Sequence, residues 1–284
     1  MMRMRSNLTI LLSCSFGLCI VTGCGSDGGS PNGNNNMDAN TDDVEADVTF
    51  PDVSADSGDD SELISITEEG GISGSFFGGT AEGESTAIIS RIEGTTDEES
   101  FVASFDSNLR TDRVTIGDTE IDFDYDTDNT FTYSVSRGEE TVFSGSGLVA
   151  IRSDAASTGR VAQHVDPEDV AACRNELLAS IADLVEQIEA PDAGTAASAE
   201  FIARLRDVNA VRRMASALCT VQLVFVPALE EVILECASRS DPLRCLNRAV
   251  PAITSLLSFY SIINVVLIDI IIQIRRDAEL CPSS

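Results

Sequence analysis

Near residue 152 the spacing of apolar residues changes character. From residue 62 up to that point, short apolar runs rich in Ile, Val, Phe, Thr and Tyr are broken by turn residues such as Gly78-Gly79, Gly117-Asp118 and Gly138-Glu139. Beyond it, apolar side chains recur at the helical period of about 3.6. The runs 63–66, 71–77, 85–91, 100–109, 113–116, 120–125, 130–137 and 141–151 read as strands. Short strands with turn residues between them form antiparallel sandwiches or barrels. Asp166-Pro167-Glu168-Asp169 opens the helical part, with an N-capping acid, Pro at the first position and acids at the positive end of the helix dipole. A first helix with Val170, Leu178, Ile181 and Val185 on one face is expected to stop at 191–194. A second runs from about 196 into the 220s, and Pro227 kinks or restarts it. A third piece ends near 238, residues 240–242 open another, and Pro251 is expected to start a separate long helix reaching about 279. The expected class is α+β: a small antiparallel β-sandwich or barrel over 62–152, then a separate helical bundle over 160–284.

Residues 252–268 are seventeen uncharged positions, about 25 Å as a helix. Asp269 follows, and an acid at the centre of a membrane helix costs about 2.5–3.5 kcal/mol on insertion. Thr254, Ser255, Ser258, Ser261, Asp269, Gln273 and Arg276 also fall on one stripe, as in a bundle helix with one solvated or hydrogen-bonded side. A bundle helix is the favoured reading of 252–274, with lipid contact as its alternative.

The amino end carries Arg3 and Arg5, then a mostly apolar stretch of fourteen residues, 8–21. That is the charge pattern and length of a secretory signal, too short for an ordinary transmembrane helix. It ends in Val21-Thr22-Gly23-Cys24, an aliphatic residue, two small ones and Cys. This resembles the lipobox of bacterial lipoproteins. The resemblance covers only the first 24 residues. It implies diacylglyceryl attachment to the Cys24 thiol, cleavage before Cys24 by signal peptidase II, and acylation, typically with palmitate, of the new amino terminus. Two or three acyl chains suffice for stable anchoring. By the sorting rule of such lipoproteins, Gly25 in place of Asp implies the outer membrane or cell surface rather than the inner membrane.

Residues 24–61 hold ten acids and no base, spaced by Asn, Gly and Ser. Such a composition cannot bury enough apolar area to offset the entropy of ordering, so the segment is expected to be a disordered acidic tether with a root-mean-square reach of roughly 33 Å. The whole chain carries a net charge of −29 and no Lys. That composition looks like that of proteins exposed to high salt, where screening relieves self-repulsion. It argues against nucleic acid as a partner, since phosphate recognition requires a basic surface.

His164 is the single His of the chain, which removes most Ser/His/Asp, Cys/His and multi-His zinc schemes. Asp122, Asp124 and Asp126 alternate with Ile121, Phe123 and Tyr125, placing carboxylates on one face of a strand. Neighbours on that face are about 7 Å apart, too far to share one cation without loop residues, so a solvated outer face is expected. Gly71-Ile72-Ser73-Gly74-Ser75 and Ser144-Gly145-Ser146-Gly147 both miss the nucleophile-elbow pattern. No catalytic residue, metal ligand or cofactor is assigned.

Of the eight Cys, Cys14 and Cys19 leave with the signal and Cys24 takes the lipid. Five remain, all in the helical part, and export favours disulfides. Cys236 and Cys245 flank the turn at 238–242 at similar distances, making them the first candidate pair. Cys173 and Cys219 mirror each other about 191–194, with Cys173–Cys281 as their alternative. The first two pairings would leave Cys281 free. The expected function is that of a lipid-anchored envelope protein with a non-enzymatic binding or structural role, an envelope protein or surface ligand being the expected kind of partner. The alternatives are a hydrolase using carboxylates of the β region, and a helical protein contacting lipid through 252–274.

Overall fold

Alternating apolar and polar side chains lay nine strands edge to edge. The computed structural model describes residues 47–51, 60–68, 71–80, 86–126, 130–148, 165–189 and 196–280. The strands are β1 (Asp47–Thr49), β2 (Ser61–Thr67), β3 (Ser73–Thr80), β4 (Ala87–Thr95), β5 (Ser100–Phe105), β6 (Thr111–Ile116), β7 (Thr119–Tyr125), β8 (Thr130–Arg137) and β9 (Glu140–Leu148). They form one antiparallel sheet in sequence order, each pairing with its neighbours in the chain. The hairpin turns at Gly117-Asp118 and Gly138-Glu139 put Gly at φ +58° and +62°, a region costly for residues with a Cβ. β1 lies inside the segment expected as tether. Its three residues pair with Ser65, Ile66 and Thr67, a run too short to show alternation in sequence.

One face of the sheet is apolar, with Phe76, Ile92, Phe101, Val114, Ile121 and Val135 buried. The other carries polar rows, for example Arg113 opposite Asp122 and Asp122 opposite Ser134. Helices cover the apolar face, supplying the layer that a second sheet supplies in a sandwich. They are α1 (Pro167–Glu189), α2 (Ala199–Asp207), α3 (Asn209–Thr220), α4 (Val226–Glu235) and α5 (Pro242–Leu280). Ser198 caps α2 by accepting a 3.1 Å bond from the Phe201 amide, and the extended Val208 separates α2 from α3. The chain expected as one helix from 196 is therefore broken once before Pro227. A π-helical turn, Val221–Phe225, joins α3 to α4 directly upstream of Pro227, whose missing N–H removes one rung of the α-ladder.

Pro251 does not begin a helix. It lies buried inside the 39-residue α5, which starts at Pro242 with the Asp241 carboxylate accepting a 3.0 Å bond from the Arg244 amide. Proline in a helix interior forfeits a backbone bond and crowds the preceding turn, yet α5 continues through Pro251, with Ala249 and Ala252 buried beside it.

The class is α+β, sheet first and helices after, and a continuous hydrophobic core from Leu63 to Ile274 includes both parts. α5 lies against β2, β4, β6 and β9. Phe225, projecting from the π-turn, reaches the sheet between Phe76 and Phe101, at centroid separations of 6.5 and 6.1 Å. Gly94 makes room for it, since a Cβ there would lie 2.6 Å from the Phe101 ring and 2.9 Å from the Phe225 ring. The stretches Asn209–Ser238 and Pro242–Ala278 are long and apolar enough to cross a membrane, yet 61% of the most apolar window of each is buried inside the fold. Within 252–274, Leu256, Phe259, Ile263, Leu267 and Ile271 all belong to the common core.

Candidate functional site

Among the described residues three places stand out, two of them gatherings of polar side chains at the sheet–helix boundary. The first is the β4–β5 turn. Thr96 shapes it, its hydroxyl accepting bonds from the amides of Glu98 at 3.1 Å and Glu99 at 3.0 Å. Three consecutive acids then face three Arg from the helices. Arg174 of α1 binds Asp97 at 2.7 Å and Glu98 at 2.8 Å, and Arg212 of α3 binds Glu98 at 2.9 Å. Arg213 binds Glu99 at 2.7 Å, bonds Asp118 of the β6–β7 turn and reaches the Thr119 hydroxyl at 3.1 Å. Ser216 donates to Asp97. The Arg174–Asp97 pair is nearly buried, with side-chain exposures of 12% and 6%, so removal of either partner leaves a charge without water.

The second place is at the β9 edge of the sheet. Asp269, from the polar stripe of α5, accepts a 2.6 Å bond from the Tyr133 hydroxyl and a 3.0 Å bond from Gln273. Gln273 also donates to the Ser144 carbonyl at 3.2 Å. Gly145 leaves space for Asp269 above β9. Burial, and then the bond to Asp269, pushes the Tyr133 phenol far above its ordinary value, so it stays protonated and acts as a donor. A phenol held in that state is no nucleophile.

The third place is the α4–α5 hairpin. Cys236, in the 3₁₀ turn Cys236–Ser238 that follows α4, is bonded to Cys245 in the first turns of α5, with Cα atoms 5.5 Å apart. Val232, Cys236, Cys245 and Ala249 form a small cluster of their own, joined by Val48 and Phe50 at the start of the fold. Beside it a shallow concavity is lined by Asp47, Val48, Ala228, Glu231, Val232, Glu235 and Arg239.

The other sequence candidates fall as follows. Cys173 is bonded to Cys219, fastening α1 to α3 with Cα atoms 5.9 Å apart. Cys24, Cys281 and His164 lie outside the described residues. Asp122 and Asp124 stand on the outer face of the sheet, Asp122 bound to Arg113 at 2.6 Å and Asp124 across from Thr132. Among the described residues no group of three or more His, Cys, Asp or Glu is arranged to hold a metal ion. No protein-family model, no curated protein and no solved structure matches this chain.

Chemically, these acids are engaged. Asp97, Glu98 and Glu99 neutralise Arg, and Asp269 holds Tyr133 and Gln273. Glu186 of α1 holds Arg275 of α5 at 2.7 Å. Glu68, 3% exposed, accepts a 3.2 Å bond from the Val165 amide and ties the entry of the helical part to the β2–β3 turn. Apart from Asp269–Gln273, which lies within α5, each of these pairs joins a strand or turn to the helical part, or one helix to another. The arrangement fastens layers together. The Arg–acid clasp and the Tyr133–Asp269 bond were hidden from sequence reasoning because their partners are far apart in the chain, 77 residues for Arg174–Asp97 and 136 for Tyr133–Asp269. The polar stripe on α5 was the single local sign of them.

Proposed function

We propose that the chain is an exported lipoprotein, anchored by lipid on Cys24 in the outer membrane or at the cell surface, whose folded part serves as a non-enzymatic binding or structural module. The observation that carries this reading is the order Val21-Thr22-Gly23-Cys24 at the end of a charged and then apolar leader. Two disulfides support it, since bonds of this kind persist in oxidising compartments outside the cytosol. The non-enzymatic half is supported by the engagement of the interior acids in the clasps described above, which leaves them occupied as fasteners rather than as acid–base groups. The ligand class this favours is an envelope protein or a surface ligand, met by the polar outer face of the sheet. Metabolic labelling with palmitate tests the anchor. Wild-type protein takes up label and needs detergent for release, and Cys24→Ser accumulates as unlabelled precursor. Wild-type protein that stays unlabelled and washes off without detergent overturns the reading.

A further inference from the structure

The large apolar side chains that the fold leaves most exposed are concentrated at one end. Leu234 is 79% exposed and Leu243 71%, on the two sides of the disulfide-closed hairpin, and Val250 follows at 47%. By contrast Ile88, Val142 and Leu148 on the sheet are exposed by 40 to 44% and stand singly. Leu243, the partly buried Leu246 and Val250 are spaced i, i+3, i+7, so they share one face of α5. Large exposed apolar groups clustered in this way mark a surface that meets something.

Two observations indicate what it meets. The first is where the chain enters. β1 begins at Asp47, 23 residues after Cys24, and Val48 and Phe50 pack into the hairpin cluster, with the Arg239 guanidinium 5.0 Å over the Phe50 ring. The hairpin therefore lies beside the point where the described chain begins, 23 residues after Cys24, a span of at most about 80 Å. The second is charge. The tip of the hairpin, 234–244, carries Glu235, Arg239, Asp241 and Arg244, two of each sign, with Glu230 and Glu231 further back along α4, while Arg248 is turned inward onto the Pro51 carbonyl at 3.0 Å. A neutral apolar tip on a chain of net charge −29 approaches phosphate head groups without the repulsion that the rest of the molecule carries.

We propose that the tip of the α4–α5 hairpin, through Leu234, Leu243 and Val250, rests in the interface of the phospholipid bilayer that holds the anchor. The inference builds on the lipid-anchor reading and adds a second contact, which fixes the tilt of the folded part over the membrane. The contact is shallow, because charged residues flank the apolar ones on both sides of the turn.

The chain has no Trp, which permits a direct test. Leu243→Trp, and in a separate protein Leu148→Trp on β9, each give a sole tryptophan in the full processed chain. Both proteins are reconstituted in vesicles of phosphatidylethanolamine and phosphatidylglycerol that contain a brominated phospholipid. The expected result is lipid quenching several-fold stronger for Leu243→Trp than for Leu148→Trp, with the reverse order for acrylamide. Equal lipid quenching of the two overturns the contact. So does a Leu243→Trp signal shielded from both quenchers, which places a second copy or another part of the chain on the tip. Palmitate labelling of the same preparations separates the two readings. Labelled protein with an unquenched tip overturns the hairpin contact alone, and unlabelled protein overturns the anchor and the contact together. Unchanged disulfide-linked peptides in both variants establish that the hairpin is folded.

Discussion

Single side chains decide how closely the two layers meet. Gly94 is the clearest case, because the Phe225 ring occupies the space that any Cβ there would need. Gly94→Ala is expected to destabilise by about 1–3 kcal/mol through overpacking, read as a lower urea midpoint with an unchanged slope. Asp106 holds the β5–β6 turn, accepting 2.9 Å bonds from the amides of Asn108 and Arg110. Burial alone would raise its pKa. The bond from the Arg110 side chain and those two amides outweigh burial and hold it below its ordinary 3.8. A depressed carboxyl contributes stability that is present above the ordinary value and is lost as pH falls through the folded one. The acid limb of the stability curve, below about pH 4, should accordingly flatten in Asp106→Asn, and an unchanged limb in a denaturation series would count against this role. Such residues are poorly legible in sequence. Gly94 looks like an ordinary turn residue because the Phe225 ring that crowds it lies far along the chain, and Asp106 looks like any strand-end acid although its partners, Asn108 and Arg110, are close in sequence.

At the scale of elements, sequence reading did well wherever one period ran unbroken. The strand alternation around Ile121, Phe123 and Tyr125 and the apolar face of α1 were visible because neighbours in sequence carry the pattern. The break at Val208, the π-turn and the uninterrupted passage of α5 through Pro251 were not, because tertiary packing overrides local preference there. The Cys236–Cys245 pair was legible for a geometric reason. Residues mirrored about a helix turn are neighbours, and Cys236–Cys245 obeys that symmetry, whereas Cys173–Cys219 joins α1 to α3 across the intervening α2. On the chain-entropy account, closing about ten residues between Cys236 and Cys245 stabilises by roughly 2.5–3 kcal/mol, and the longer loop of Cys173–Cys219 by about 4 kcal/mol. Non-reducing peptide mapping should find those two linked peptides and an alkylated Cys281. A linkage of Cys281 to Cys173 would contradict the arrangement. Cys173→Ser with Cys219→Ser should lower the melting temperature more than Cys236→Ser with Cys245→Ser.

The whole molecule behaves as one unit because its two halves share a core. A fragment ending at residue 150 would bare Phe76, Phe101, Ile121 and Val135 on the face that helices cover. It is expected to aggregate or to lack a cooperative unfolding transition, whereas the full chain should give a single transition by both near-ultraviolet and far-ultraviolet dichroism. A soluble, cooperatively unfolding fragment would show instead that the sheet is self-sufficient. Charge acts at this scale too. With a net −29, stability should rise as NaCl is taken from low to molar concentration, and a flat melting temperature across that range would rule out repulsion as a significant load. The division into a strand-rich and a helix-rich half was plain from the change of period, but the sharing of one core was not. Hydrophobic spacing reports which side of an element is apolar and is silent on what that side touches.

The position of α5 has a consequence for how the protein is made. Strands β1 to β9 precede every described helix in the chain, and the element that lies against β2, β4, β6 and β9 follows all the other described elements. For most of its synthesis, then, the chain holds a complete set of strands with no cover for their apolar side, and both disulfides wait for partners from the second half. Folding must begin late and draw together segments separated by more than a hundred residues, a slow kind of assembly during which sticky strands are exposed. A chain built in this order depends on being kept apart from its neighbours until α5 arrives.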